Sequence, residues 1–108
     1  MELHDLISYL EDKYGITLYM DIAGDSIILS SIKVPNTERG IGIGSKVMEE
    51  ISDYADKVEM NVYLTPSIGL GATSVSRLKK FYKRFGFQNK PRNDFSQRQS
   101  MIRYPKGI

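Results

Sequence analysis

No cysteine occurs among the 108 residues, so neither a disulfide framework nor a thiolate-held zinc or iron–sulfur centre can form. Tryptophan is absent as well, and histidine occurs once, at His4. One imidazole cannot supply a paired-histidine metal site. Its position inside the Leu3, Leu6, Ile7, Leu10 pattern reads as a surface helix residue rather than the base of a Ser–His–Asp triad. Long apolar runs are also missing. The most apolar stretch, Ile27-Ile28-Leu29, falls far short of the ~20 residues needed to cross a bilayer. The first residues, Met1-Glu2-Leu3-His4-Asp5, have no basic segment leading into an apolar one. A soluble, cytoplasmic protein with no membrane partner is expected. The length suits one domain, since a single core usually serves roughly 100–200 residues.

What is present is unevenly distributed. Residues 1–60 hold five Lys/Arg against twelve Asp/Glu, a net of minus 7, while residues 61–108 hold ten Lys/Arg against Asp94 alone, a net of plus 9. A basic half of this size implies either an anionic partner or a solvated helix face.

Hydrophobic spacing sets the element order. Leu3, Leu6, Ile7 and Leu10 predict a short amphipathic helix stopped by Gly15. Residues 16–22 and 26–34 read as two strands joined through Gly24-Asp25, with Pro35 ending the second. A glycine-rich loop over residues 35–44 leads into a helix from Ser45, marked by Val47, Met48, Ile51 and Ala55. Val58, Met60, Val62 and Leu64 alternate with Glu59, Asn61 and Tyr63, predicting a strand with one face more buried than the other. Leu78, Phe81, Tyr82 and Phe85 form the apolar stripe of a basic helix that Gly86 would cap. Strands beginning at Phe87 and over residues 99–104 complete the chain. The expectation is a single α/β (α+β) domain over residues 1–108, with a mixed, mostly antiparallel sheet flanked by helices.

The segment Arg39-Gly40-Ile41-Gly42-Ile43-Gly44-Ser45 sets alternate glycines directly before a helix. Bare backbone can approach a ligand closely, and the first helical turn adds unpaired N–H donors, so the segment is built to receive a diphosphate-sized anion. A nucleoside-triphosphatase loop requires Gly-Lys-Ser/Thr, whereas this chain reads Gly44-Ser45-Lys46. A dinucleotide fingerprint requires the glycines immediately after the first strand, and 108 residues do not hold both halves of that fold.

With Val34 five residues before Arg39, the loop resembles the acyl-CoA loop of the Gcn5-related N-acetyltransferase (GNAT) family. Phe81-Tyr82-x-x-x-Gly86-Phe87 is similar to that family's second signature, and Met101-Ile102-Arg103-Tyr104 to its closing strand, so the likeness spans roughly residues 27–104. With few residues before the Ile27 strand, it resembles the short, phage-type members, whose N-terminal part is truncated. The resemblance implies an acyl-CoA N-acyltransferase fold and an enzyme that transfers an acetyl group from acetyl-CoA to a primary amine. It implies that Ile32, Lys33 and Val34 pair with the pantetheine arm, that residues 39–45 (Arg39, Gly40, Ile41, Gly42, Ile43, Gly44, Ser45) hold the diphosphate, and that Tyr82 is the acid for the departing thiolate. Lys79, Lys80, Lys83 and Arg84 are candidates for the ribose phosphate. On the residues themselves, Glu59 shares one face of the strand over residues 58–64 with Asn61 and Tyr63, so it is eligible as a base, the other reading being a solvated or structural carboxylate. No metal is implied. The acceptor side, thinly walled, suits a lysine or N-terminus on a protein, and a homodimer is one way to rebuild the wall.

Two other functions remain open on the residues. A nucleic-acid-binding module would use the basic half with Phe81, Tyr82, Phe85, Phe87, Phe95 and Tyr104 as stacking surfaces. A non-catalytic acyl-CoA-binding module would keep the loop and not need Tyr82.

Overall fold

A computed structural model describes residues 2–34, 42–66, 75–95 and 97–106. The elements follow in the order α1 (Leu3–Tyr14), β1 (Thr17–Ala23), β2 (Ser26–Lys33), α2 (Ile43–Val58), β3 (Asn61–Leu64), α3 (Val75–Lys83), β4 (Phe87–Asn89) and β5 (Met101–Arg103). The five strands make one sheet in the order β1-β2-β3-β5-β4. Only β2 and β3 run parallel; the other three pairings are antiparallel. The fold is the mixed, mostly antiparallel α+β domain that the spacing predicts.

The helices cover one face of this sheet. Leu3, Leu6 and Leu10 of α1 and Val47, Met48, Ile51 and Ala55 of α2 share a core with Leu18, Met20, Ile27, Leu29, Val62, Leu64, Phe87 and Met101 from the strands. Phe81 and Tyr82 of α3 and Phe85 just beyond it pack on the same cluster, partly buried. At ~25 cal/mol per Å² of apolar surface withdrawn from water, this shared core is the main force holding helices to sheet. Gly15 (φ 64°) ends α1 and bonds back to the Glu11 carbonyl, as its place after Lys13-Tyr14 predicts.

Two sequence expectations need correction. The alternation from Val58 to Leu64 predicts a long strand, yet α2 continues to Val58 and β3 begins only at Asn61. The break is made by Glu59, a non-glycine residue in the left-handed region (φ 57°), and by the Met60 N–H returning to the Ala55 carbonyl. The strand is also buried on both faces, because Tyr63 is only 3% exposed. Its hydroxyl donates to Asp94 (3.0 Å), and the Lys90 ammonium lies over its ring, so the segment between β4 and β5 lies across this part of the sheet's other face.

A buried ion pair links the layers. Arg103 on β5 makes two bonds to the Asp56 carboxylate on α2 (2.8 and 3.1 Å), and its Nε donates to the Phe85 carbonyl beyond α3.

Candidate functional site

The chemistry suggested by the sequence depends on what happens where β2 and β3 meet. Their parallel register runs from Ser26↔Asn61 to Leu29↔Leu64 and then stops. β2 continues to Lys33, held only by β1. At this point Met20 pairs with Leu29 and Tyr19 with Ser31, leaving Ser30 as an extra residue in β2. Such a bulge increases local twist and turns the strand end away from its neighbour. On the other side Leu64 leads into Thr65-Pro66, and a proline has no N–H to continue a ladder. Thr65 instead accepts from the Ser100 N–H through its hydroxyl (3.2 Å), which draws this end of β3 toward β5. Among the described residues, nothing pairs with residues 30–33 on the side that faced β3. An extended amide-bearing ligand can pair there as an added strand.

The second component is the start of α2. Gly42 is its N-cap, at φ 83°, a conformation that glycine adopts without the Cβ penalty. No side chain caps this helix and its first turn holds no acidic residue. The Lys46 N–H makes the first helical bond, to the Gly42 carbonyl, so the N–H groups of Ile43, Gly44 and Ser45 have no partner within the helix. A Cβ built on Gly42 would meet nothing within 4 Å among the described residues, so there is room beside the helix start. Uncapped donors together with the positive end of the dipole fit a phosphate-bearing group.

Gly44 also touches α3. A Cβ there would lie 3.5 Å from Cζ of Phe81, so this glycine marks where α3 leans on the start of α2. That contact brings the neighbouring Tyr82 to the same region of the molecule. Tyr82 is held between the rings of Phe81 (centroids 5.3 Å) and Phe87 (5.8 Å), both edge to face. Burial pushes its hydroxyl above the ordinary phenol range, so it keeps its proton at neutral pH. Among the described residues, none hydrogen-bonds that hydroxyl.

Of the residues named from sequence, Ile32 and Lys33 end β2, Val34 follows it, Gly42 caps α2, and Ile43, Gly44 and Ser45 form its first turn. Arg39, Gly40 and Ile41 lie outside the described residues. Lys80, Lys83 and Arg84 are exposed, and the Arg84 guanidinium lies over the Phe81 and Phe85 rings. Glu59 is removed from the site: it caps the far end of α2 and does not share a strand face with Tyr63. Arg103 is legible as part of the closing strand, but its pairing with Asp56 is not. An arginine in a strand flanked by Met101 and Ile102 is the signal that would have found a buried cation in need of a carboxylate.

Comparison with protein-family models finds no match, and none of the curated proteins matches either. Among solved structures, this chain is similar to the anti-CRISPR protein AcrVA5. The crystal structure of AcrVA5 aligns with a TM-score of 0.64 and 22% identity, over 81% of this chain and 87% of that one. At this identity the likeness speaks for the fold: the arrangement of helices around the sheet is one already seen in a protein of similar length. No helix among the described residues is long and apolar enough to cross a membrane.

Proposed function

We propose that this protein is an acetyl-CoA-dependent N-acetyltransferase acting on a primary amine carried by a macromolecule. One observation carries the reading. The open edge of β2 beyond Leu29 and the uncapped, glycine-started α2 come from the two ends of one connection, so an amide-rich arm and a diphosphate can be bound in a single pose.

When bound, acetyl-CoA would supply an activated thioester and a thiol leaving group. The chain's part is to bind and orient. Backbone N–H and C=O groups of residues 30–33 pair with the arm, and an N–H there is available to the carbonyl oxygen on which negative charge develops. The N–H groups of Ile43, Gly44 and Ser45 hold the diphosphate. Tyr82, kept protonated by burial, would hold the proton that a departing thiolate takes up. β1 is the last strand of the sheet on its side, and no described element walls the cleft beyond it, which favours an amine presented by a large partner.

The nucleic-acid alternative loses support from the burial of its aromatics. Phe87 lies in the core and Phe81, Tyr82 and Phe85 pack on it, leaving Phe95 and Tyr104 exposed for stacking. Calorimetric titration with acetyl-CoA tests the proposal. The wild type should bind, and Gly42→Glu, which sets a carboxylate against the diphosphate, should weaken binding at least tenfold, or ~1.4 kcal/mol. Equal binding by both proteins would sink the reading.

A further inference from the structure

At the opposite end of β1 the sheet is unfinished in a way that acetyl transfer does not use. Leu18, Met20 and Ile22 share one face of β1; the first two are buried under the helices, but Ile22 is 55% exposed. Above it lies a crevice of about 550 Å³, lined by Leu3 and Ile7 of α1, Tyr54 of α2, and Met20 and Ile22. Glu2, His4 and Asp21 complete its lining, with no lysine or arginine among them. Asp5 adds to the same negative field. The Tyr54 hydroxyl is pushed up by burial and then by the charges of Glu2 and Asp5.

The backbone alongside is also available. β1 ends the sheet order, so among the described residues one of its edges has no strand neighbour. The Leu18 N–H points out along that edge, because it donates to the Glu11 carboxylate (2.9 Å) rather than to β2. Strand alternation gives Met20 and Ile22 the same outward direction, and no described residue takes their N–H and C=O groups. Glu11 therefore closes the edge at Leu18 and leaves it open beside the crevice.

We propose that this corner docks an extended, lysine- or arginine-bearing segment of a partner protein, which adds to β1 at Met20–Ile22, sets one apolar side chain over Ile22, and meets Asp21 with its cations within the field of Glu2 and Asp5. Alternation in an added strand supplies both requirements, with apolar residues facing the crevice and the basic ones between them facing Asp21 on the other side of the sheet. A second copy of this chain fits poorly, because pairing β1 with β1 would bring Asp21 and Glu2 of the two copies together. The corner, opposite Ile27, lies three to six residues along β2 from residues 30–33, about 10–20 Å at ~3.3 Å per residue and one strand further out, so it is a docking site beside the reacting centre and not part of it. Its occupation does not depend on acetyl transfer.

Fluorescence anisotropy with a labelled, end-blocked heptapeptide of alternating lysine and valine provides the test. Wild type should give saturable binding. Asp21→Lys and Ile22→Ser, both at exposed positions, should each weaken it about tenfold, as should alternate N-methylation of the peptide. A glutamate-valine peptide should not bind. Unchanged affinity in Asp21→Lys, or indifference to N-methylation, would overturn the proposal. Sedimentation revealing a wild-type dimer that Ile22→Ser disperses would overturn it in favour of a second copy. Thermal melts matching wild type establish that each variant is folded, and acetyl-CoA titration of the same variants should be unchanged.

Discussion

Replacing Asp56 with alanine isolates a charge that the fold cannot easily hydrate. Arg103 is 2% exposed, and its guanidinium is satisfied by both Asp56 oxygens and by the Phe85 carbonyl. Removing one partner of a fully buried pair costs roughly 3–5 kcal/mol, since the remaining charge stays desolvated. Here the Asp56 side chain is 25% exposed and borders a polar cleft of about 410 Å³, so water can enter the vacated space. The expected loss is therefore lower, about 2–4 kcal/mol, and includes the bond that Asp56 accepts from the Lys106 N–H (2.8 Å). Against a total stability of ~5–15 kcal/mol, that is a large fraction.

Urea unfolding at neutral pH measures it, with the midpoint moving and the slope unchanged. The pair's electrostatic origin is tested by Asp56→Ala combined with Arg103→Met, which removes the stranded charge and keeps most of the volume. The double variant should recover to within about 1.5 kcal/mol of wild type. A loss below ~1 kcal/mol in Asp56→Ala, or a double variant no better than the single one, would refute the reasoning. The pH dependence follows. Arg103 holds the Asp56 carboxyl below its ordinary 3.8, so its contribution is fully present above the unfolded value and is lost as pH falls through the lower folded one. Asp56→Asn should flatten the acid limb of the stability curve between those two values.

Tyr82→Phe should leave the melting temperature within error, because the ring contacts survive and no described residue bonds the hydroxyl. It should lower turnover by ~10²–10⁴ in a thiol-release assay; full activity would remove Tyr82 from the chemistry. Gly42→Ala should cost about 1–2 kcal/mol, because its φ of 83° penalises a Cβ. Gly44→Ala should stay within ~0.5 kcal/mol, its Cβ being at ordinary distance from Phe81, and urea titration of both variants separates the two glycines. Tyr14→Phe should cost about 1–2 kcal/mol by urea titration, through the loss of its 2.5 Å bond to Glu50, which ties α1 to α2.

How far the fold can be read from the residues depends on the range of the forces involved. Helix α1 is legible because Leu3, Leu6, Ile7, Leu10 and Gly15 act within a few turns of one another, and the left-handed stop needs no tertiary help. The element order is legible for the same reason. The alternation of Val58 and Met60 misleads because α2 buries Ile51 and Ala55 and runs on to Val58, where the Glu59 N–H returns to the Ala55 and Asp56 carbonyls. Only contact with the sheet, which a one-dimensional pattern does not contain, decides between the two.

The glycine segment divides along the same line. Gly42 is read correctly as a backbone position, since a positive φ is a local demand. Gly44 reads as a ligand-approach glycine, and its spacing says nothing of the Phe81 ring beside it, 37 residues away in sequence. Arg103 and Asp56 are invisible singly, because each is ordinary in its own element and the pair exists only once β5 is laid under α2. The open edge of β2 belongs to this second class. It follows from the Ser30 bulge, from Pro66 and from the Thr65 bond to Ser100, three features far apart in the chain that act on one point of the sheet. Restoring any of them to regular strand should narrow the gap, so the cleft is a product of interrupted pairing and the glycines supply only its phosphate end.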